Sequence, residues 1–299
     1  MNFNHLQIFH KVAELEHFTR AAEELFISQP AVSKQVQELE KSIGMPLFRQ
    51  VGRKVYLTEA GQLLFSYTSQ IFALSAEAEL ALQELQGLER GHLAIGASTT
   101  IGIYLLPPLL GQYKNLYPNI ELSLNIGNAD EIQERLLANR LEIGLVEGFV
   151  THPELKKTVW REDKLVLVVP PGHSLLAKTD LTLAEVMETE PNFILREKGS
   201  GTRAVLEKAI EERGELARLK PSLELGSTEA IKQAVRAGLG LSFVSEHTIK
   251  LELAAGLLRV VPLKDFILKR PLFLVYLKAK RYSRAVEAFI NLLNLPARG

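Results

Sequence analysis

A short turn between two amphipathic segments constrains the fold of the first sixty residues more than any other feature of the chain. In AAEELFISQPAVSKQVQELE, residues 21–40, Ser28-Gln29-Pro30 separates two segments whose apolar residues recur at helical spacing. Ser28 is a favourable N-cap, and a proline in the first helical turn removes only an N–H that has no partner within the helix. Because Gly44 favours a helix end, the pattern predicts two short helices joined by a tight turn, a helix-turn-helix.

Two further features complete a small helical domain around this turn. Leu6, Phe9 and Val12 recur at helical spacing and predict a first helix over about residues 3–15. The second helix is predicted to begin at Thr19, which is a favourable N-cap. Its small alanines would let the third helix approach closely, and a stripe of apolar residues on the third helix would face the interior. The inward-facing residues are Ala21, Ala22 and Leu25 on the second helix and Val32, Val36, Leu39 and Ile43 on the third.

The outward side of the third helix is rich in amide and hydroxyl groups. Gln29 and Gln37 can each pair with adenine through two hydrogen bonds. Ser33 can contact bases or phosphate, and Lys34 can reach guanine or phosphate. The helix N-terminus behind Ser28 offers free N–H groups to a phosphate backbone. The pattern therefore predicts a helix that reads double-stranded DNA, and the alternative is a solvated polar face on a small helical hairpin.

A short hairpin with a basic tip follows the third helix. In GMPLFRQVGRKVYLTEAG, residues 44–61, a turn at Gly52 lies between two extended pieces, with Arg53 and Lys54 beside it. The whole chain has 35 basic and 35 acidic residues, whereas residues 34–54 hold five bases and two acids. This local excess favours contact with a polyanion, with a solvated surface as the alternative. The candidate DNA-contacting residues are Thr19, Ser28, Gln29, Pro30, Ser33, Lys34, Gln37, Arg49, Arg53 and Lys54.

Residues 57–85 form one long predicted helix with an apolar seam. The stretch has no proline, and its apolar residues recur at steps of about three and four, close to the period of a coiled coil. Such a helix runs about 45 Å and is too long to bury its seam within the N-terminal domain. The pattern predicts a self-associating helix, with packing on the protein's own larger domain as the alternative. The seam consists of Ala60, Leu64, Tyr67, Ile71, Leu74, Ala78, Leu82 and Leu85.

The remaining two hundred residues alternate strands with helices, which is typical of an α/β fold with largely parallel sheets. Two groups of such units predict two lobes, of which the second opens at EDKLVLVVPPGH and the first resumes near residues 265–271. The predicted strands cover residues 92–98, 120–127, 141–148, 164–170, 192–197, 222–226, 240–245 and 272–278. The predicted helices cover residues 100–117, 129–139, 182–188, 201–213, 228–237 and 282–294.

Four predicted strand ends carry side chains that suit a small anion. Ligands of open α/β sheets bind at the C-terminal ends of strands, next to helix N-termini. Hydroxyls, free N–H groups and a guanidinium suit a carboxylate, sulfate or phosphate, although each hydroxyl by itself can be an ordinary N-cap. The candidate effector-binding residues are Ser98, Thr99, Thr100, Glu147, Ser200, Gly201, Thr202, Arg203, Ser227 and Thr228. The stretch GSGTR does not complete G-x-G-x-x-G, so no dinucleotide cofactor is predicted.

The N-terminal motifs together resemble the winged helix-turn-helix of LysR-type transcriptional regulators. The similarity runs over about 45 residues, from FTRAAEELFISQPAVSKQVQELEKSIGMPLF to GRKVYLTEAG. One departure lies in the wing, where the family has Leu-Phe-x-Arg and this chain has Arg49-Gln50 after Phe48, so the base has moved by one position. The stretch LREKGSGTR also resembles a subset of these regulators tied to carbon fixation and sulfur assimilation.

The resemblance implies a multidomain protein of α+β and α/β parts. Residues 1–58 would form a winged helix-turn-helix DNA-binding domain, with the helix-turn-helix itself at about 18–37. Residues 59–88 would form a dimerising linker helix. Residues 89–299 would form an effector-binding domain of two Rossmann-like lobes, as in periplasmic binding proteins. Lobe 1 would hold about residues 91–161 plus 268–299, and lobe 2 about residues 162–267.

The implied function is gene regulation. A dimer or tetramer would bind a pseudo-palindromic operator in double-stranded DNA, respond to a small anionic metabolite and have RNA polymerase as a further partner. The alternative, a solute-binding protein without a regulatory role, predicts a signal peptide and no helix-turn-helix. An enzyme is not predicted, because the seven histidines are scattered and no catalytic set, metal-ligand cluster or phosphate loop is found. No signal peptide or long apolar run is found, which predicts a cytoplasmic protein without membrane contact.

Overall fold

The first unit of the structure is helical, with one small hairpin. The protein is described by a computed structural model, in which contacts divide the chain into residues 1–83 with 138–140 and residues 84–137 with 141–299. The structure describes residues 2–51, 54–84, 91–190, 192–278 and 282–293. The elements of the first unit are α1 (Phe3–Leu15), α2 (Phe18–Glu24), α3 (Gln29–Ile43), β1 (Phe48–Val51), β2 (Lys54–Leu57) and α4 (Glu59–Glu84).

Helix α3 forms because its caps and its apolar stripe agree. The Ser28 hydroxyl accepts a hydrogen bond from the Ala31 N–H at 3.4 Å. Gly44 ends the helix in the left-handed conformation, with φ 80°, which glycine adopts without steric cost. The predicted stripe is confirmed at its first three positions: two of them pack against the two buried alanines of α2, and the third, Leu39, packs with Phe9 and Leu47. The buried residues of the stripe are Val32, Val36 and Leu39.

Helix α2 begins earlier than predicted. His17, not Thr19, is its N-cap, and the His17 ring accepts a hydrogen bond from the Arg20 N–H at 3.4 Å. The ring of Phe18 lies 5.5 Å from that of Phe48 and anchors the first turn of the helix in the core. Thr19 therefore lies inside the helix with an exposed side chain. The prediction of Thr19 as the cap was wrong because burial of its neighbour decides where the helix starts.

Helix α4 divides its apolar residues between the core of the first unit and an exposed face. Ala60 and Leu64 pack on the cluster around Phe9 and Leu39, together with aromatic residues of the same helix. The prediction of one continuous free seam was therefore wrong for the first turns, because they directly follow β2 and cover α1. Leu85 lies outside the described residues. The exposed large apolar residues of the helix are Leu63, Tyr67, Ile71, Leu74 and Leu82.

The second unit alternates strands and helices, as predicted. Its strands are β3 (Gly91–Ser98), β4 (Ile120–Gly127), β5 (Ile143–Glu147), β6 (Leu155–Val169), β7 (Phe193–Arg196), β8 (Pro221–Leu225), β9 (Ser242–Ser245), β10 (Arg259–Val261) and β11 (Leu268–Leu277). Its helices are α5 (Leu106–Leu116), α6 (Ala129–Leu137), α7 (Leu183–Thr189), α8 (Gly201–Glu211), α9 (Thr228–Arg236), α10 (Lys250–Ala254) and α11 (Arg284–Leu292). A π-helical turn (Ile101–Leu105) precedes α5, and 3₁₀ turns lie at Ser174–Ala177, Leu216–Arg218 and Glu246–Thr248.

Parallel strands are fewer than predicted. β3 pairs in parallel with β4 and β5, and β7 pairs in parallel with β8. The long strands β6 and β11 pair with each other in antiparallel fashion and also pair antiparallel with β5, β9 and β10. The prediction of largely parallel sheets was wrong for these strands. The first half of β6 carries charged residues that hide the apolar–polar alternation of a strand, so this part of the antiparallel pair was not predicted. Its backbone finds its hydrogen bonds on β11, far along the chain.

These two long strands run through both halves of the unit. The core around β3 and α11 contains Trp160 of β6 and Leu274 of β11. A second core, around β7 and α8, contains Leu167 and Leu268 of the same two strands. Each half thus has its own apolar core, and a pair of antiparallel strands joins the two.

Candidate functional site

A concavity on the first unit gathers half of the predicted DNA-contacting residues. It has a volume of ≈ 420 Å³ and is bounded by the start of α2, by α3 and by the hairpin. Val36 and Phe48 contribute apolar surface, so polar side chains surround an apolar base. The predicted residues that line it are Thr19, Gln29, Ser33, Gln37 and Arg49.

The first two turns of α3 present polar groups to solvent. The Gln29 amide donates a hydrogen bond to the Ser33 hydroxyl at 2.8 Å, which fixes one side chain against the other. Gln37 and Lys34 are exposed, and the Lys34 amine is 4.0 Å from a Glu38 carboxylate oxygen. Ser28 and Pro30 are exposed as well. These groups are free to meet a polyanion, and their individual roles stay predictions.

The predicted wing is a two-stranded hairpin that is attached to α3. β1 and β2 pair antiparallel from Phe48 opposite Leu57 to Val51 opposite Lys54. The Glu40 carboxylate of α3 accepts the N–H groups of Leu47 at 2.7 Å and Phe48 at 3.2 Å. Exposed Arg49 lies over the Tyr56 ring at 5.9 Å. Arg53 and the side chain of Lys54 lie outside the described residues.

In the second unit, the C-terminal ends of β3 and β5 are connected through Glu147. The Ser98 hydroxyl at the end of β3 donates a hydrogen bond to the Glu147 carboxylate at the end of β5. The first residue of α8 approaches so closely that a Cβ on Gly201 would collide with the Glu147 carbonyl. A glycine is needed where one backbone approaches another in this way. The N-terminus of α8 is therefore directed at the ends of β3 and β5.

Arg196, which the sequence analysis missed, forms hydrogen bonds that connect the end of β3 to the start of α9. Its guanidinium donates to the Thr99 hydroxyl at 3.3 Å and to the Thr228 hydroxyl at 3.1 Å. It also forms two hydrogen bonds of 2.8 Å with the Glu197 carboxylate. Its position at the end of an apolar strand, FILR, was the available signal, because polar residues there face the ligand side of the sheet.

Two further predicted hydroxyls lie buried at helix N-termini. Thr100 is 1% exposed at the start of the π-helical turn, and Ser200 is 2% exposed at the start of α8. Within the described residues the Ser200 hydroxyl has no hydrogen-bond partner. A buried hydroxyl without a partner costs roughly 1–3 kcal/mol, so this site can gain stability from a ligand that accepts a hydrogen bond from the Ser200 hydroxyl.

Two predicted effector residues make contacts within their own half of the unit. The Arg203 guanidinium pairs with Glu207 at 2.7 Å and with Glu224, and it donates to the Arg196 carbonyl at 3.0 Å. The Ser227 hydroxyl accepts the Ala230 N–H at 3.2 Å and thereby caps α9. Their role in effector binding stays a prediction.

A buried ionic cluster lies beside the predicted cleft. Arg270 of β11 binds Asp163 of β6 with an Nε–Oδ2 distance of 2.8 Å, and its Nη1 is 3.6 Å from Glu147. The same guanidinium donates to the Thr202 hydroxyl at 2.8 Å, and Asp163 accepts the Ser245 hydroxyl at 2.7 Å. Thr202 is therefore hydrogen-bonded to Arg270, a charged residue that the sequence analysis did not identify because the partners of Arg270 are distant in the chain.

The chain matches two family descriptions that together cover most of its length. Residues 3–62 match "Bacterial regulatory helix-turn-helix protein, lysR family". Residues 86–295 match "LysR substrate binding domain". The chain belongs to the LysR family of transcriptional regulators. The resemblance seen in its sequence motifs is thereby confirmed.

Two relatives match this LysR-type regulator over nearly its full length. The "RuBisCO operon transcriptional regulator" of Allochromatium vinosum is 38% identical over 289 residues, which are 97% of this chain and 94% of the relative. The "HTH-type transcriptional activator CmpR" of Synechocystis sp. is 37% identical over 287 residues, 96% of this chain and 93% of the relative. The protein is a DNA-binding transcriptional regulator controlled by a small-molecule effector, not a solute-binding protein without a regulatory role.

Solved structures support the fold. Full-length CbnR in complex with its target DNA has a TM-score of 0.70 and 22% identity, covering 98% of this chain and 99% of CbnR. The regulatory domain of CcmR from Synechocystis PCC6803, in complex with 2-PG, has a TM-score of 0.62 and 31% identity, covering 68% of this chain and 96% of that domain. The first confirms the winged helix-turn-helix, linker helix and two-lobed domain of this LysR-type regulator.

None of the described helices is both long and apolar enough to cross a membrane. Within the same residues, no group of three or more histidines or acidic side chains is arranged to hold a metal ion.

Proposed function

We propose that this LysR-type regulator reads its operator with the outward face of α3 and holds the phosphate backbone with the wing. The observation that carries the proposal is the concavity in which Gln29, Ser33 and Gln37 of α3 lie beside Arg49 of the wing. A groove edge offers acceptors and donors to amides and hydroxyls, and phosphates attract cations. Lys34, Arg53 and Lys54 belong to the backbone contacts in this proposal.

An operator selected from a random duplex library tests these roles. Gln29→Ala and Ser33→Ala are expected to reduce discrimination between the selected duplex and a mixed-sequence duplex by about tenfold, since each removes a contact to a base. Lys34→Ala and Arg53→Ala are expected to weaken both duplexes about equally and to reduce the salt dependence by about one ion. Lys269→Ala, in the second unit, is the charge-matched control. The reverse pattern would reject the assignment.

We also propose that the effector is a small organic anion held at the strand ends of the second unit. Arg196 would supply the positive charge, Thr99, Thr100 and Thr228 the hydroxyls, and the N-terminus of α8 free N–H groups. The buried Ser200 hydroxyl, which has no partner among the described residues, supports this placement. CcmR, whose regulatory domain is 31% identical over 68% of this chain, was solved with 2-PG, so 2-PG is the first anion to test.

Titration calorimetry of the full chain with 2-PG, sulfate and phosphate tests the cleft. Thr100→Val and Arg196→Met are expected to abolish binding of whichever anion binds, while DNA affinity stays near wild type. The single tryptophan, Trp160 on β6, provides an intrinsic fluorescence readout for the same titration. Unchanged anion binding in both variants would place the effector elsewhere.

The remaining partners complete the proposal. The exposed apolar residues of α4 would pair two or four chains, so that two recognition helices meet a pseudo-palindromic operator. RNA polymerase would be the protein that the bound regulator affects. Because the target is chromosomal DNA, the protein would act in the compartment that holds it, which in a bacterium is the cytoplasm.

A further inference from the structure

We propose that Phe26, in the turn between α2 and α3, is a DNA-contacting residue whose ring packs on the deoxyribose face of the operator backbone. The contact is independent of sequence and lies next to the groove that α3 enters. The inference rests on the proposed placement of the α3 face on DNA.

Phe26 adopts a left-handed backbone conformation that is unusual for an aromatic residue at a helix end. Its φ is 54°, in the left-handed region, where a bulky residue is a genuine outlier and glycine or asparagine is the usual choice. The N–H of Phe26 bonds to the Glu23 carbonyl at 3.2 Å, and that of Ile27 bonds to the Ala22 carbonyl at 3.1 Å. This bonding pattern ends α2, and it would form at lower cost with a glycine at position 26.

The side chain of Phe26 gains nothing from the fold that would offset this cost. It is 93% exposed, more than any other large apolar side chain in the described part of the chain. Ile27, the next residue, is 40% exposed. The other described residues with positive φ, apart from glycines, are polar: Glu16, Asn139 and Asp180. An aromatic ring that is both strained and solvated points to a contact made only in a complex.

The position of the ring identifies the partner. Phe26 is two residues before Ser28, the N-cap of α3, and both are exposed, so the turn continues the surface proposed to meet DNA. In a helix-turn-helix the first helix crosses the backbone and the second enters the groove, which brings the turn between them over the sugar-phosphate chain. An uncharged ring cannot pair with phosphate, but it can cover the C–H groups of deoxyribose.

Binding of a mixed-sequence 40-base-pair duplex to the full-length protein tests the inference, because the proposed contact needs no operator. Phe26→Gly is expected to raise or preserve the melting temperature, since it relieves the left-handed strain, and yet to weaken duplex binding about tenfold. Phe26→Asn should behave alike, and Phe26→Tyr should bind like wild type. Asp180→Gly is the matched control: it relieves the same backbone geometry in the second unit and should leave duplex binding unchanged.

Each result has a separate meaning. Unchanged duplex binding by Phe26→Gly and Phe26→Asn would overturn the inference. If these variants bind the duplex normally but no longer support transcription with RNA polymerase, the ring contacts a protein partner instead, and the inference fails as well. The salt dependence should be unchanged in Phe26→Gly and reduced in Lys34→Ala, since only the second loses an ion contact. If Lys34→Ala and Arg53→Ala weaken binding while Phe26→Gly does not, only the Phe26 inference fails. If none of the three weakens binding, the proposed α3 face fails with it.

Discussion

At the scale of single residues, the candidate effector site contains an arginine that is already paired with a carboxylate. Arg196 is the cation nearest the hydroxyls Thr99 and Thr228, yet two of its N–H groups are bonded to Glu197. An incoming anion must therefore displace Glu197 or bind beside it. Glu197 is adjacent in sequence and its side chain is 23% exposed, so it can move into solvent when an anion arrives.

Replacing Glu197 by glutamine should strengthen anion binding. Glu197→Gln removes a negative charge that competes for Arg196, and we expect the affinity of the bound anion to rise by roughly fivefold to tenfold. Titration calorimetry measures it. Glu224→Gln, which removes the charge of one of the two carboxylates paired with Arg203, is the matched control and should bind as wild type. Weaker binding by Glu197→Gln would show that this carboxylate holds the site together.

The ionic cluster of Asp163 and Arg270 is the second residue-scale feature. Both side chains are fully buried, so each depends on the other for compensation of its charge. Arg270→Met is expected to destabilise the second unit by about 3–5 kcal/mol, because it leaves Asp163 and Glu147 buried without a cation. Urea unfolding followed by Trp160 fluorescence measures this. Lys269→Met, one residue away and paired with exposed Glu162, should unfold close to wild type.

At the scale of elements, a half-buried histidine, His10, joins α1 to α4. The His10 ring is 3.0 Å from the hydroxyl of fully buried Thr68 and stacks on Phe65, with ring centroids 4.9 Å apart. Burial lowers the pKa of His10 below its ordinary value of 6.5. The folded state therefore favours the neutral ring more than the unfolded chain does.

This pKa shift predicts that acid weakens the junction. The contribution of neutral His10 is fully present above pH 6.5 and is lost as the pH falls below 6.5 and through the lowered pKa. Hydrogen exchange of the α1 amides, corrected for intrinsic rates, should accelerate between pH 7 and pH 5 in the wild type and less so in His10→Gln. Exposed His92 provides the control, since His92→Gln should keep the wild-type slope. Equal slopes in His10→Gln and the wild type would contradict the assignment.

At the scale of the whole molecule, the self-association proposed above would link DNA recognition to α4. Tyr67 and Leu74 are 57% and 66% exposed in a helix of 26 residues, and an apolar stripe of this kind is stabilised by a second copy. Effector and DNA binding would be coupled reciprocally in such an assembly: an anion that changes operator affinity would have its own affinity changed by the same factor when DNA binds.

A charge on the exposed stripe should dissociate the assembly. Leu74→Glu is expected to shift the protein toward monomer in sedimentation velocity and to weaken operator binding, because two linked heads bind one operator more tightly than separate ones. Gln62 is exposed and lies about 120° around α4 from Leu74, so Gln62→Glu should sediment as wild type. An unchanged oligomer in Leu74→Glu would exclude this face as the main contact.

The sequence by itself determined the parts of this protein that local signals specify. Ser28, Pro30 and Gly44 define α3 within seventeen residues, and the alternation of strands and helices after residue 91 defines an α/β unit. Only the tertiary structure decided which charges meet. Arg196 rather than Arg203 bonds the Thr99 and Thr228 hydroxyls, while Arg203 pairs with Glu224 on β8, and Arg270 lies on Asp163, 107 residues away. Caps and periodicity act over a few residues, whereas a buried charge is placed by whichever strand folds against it.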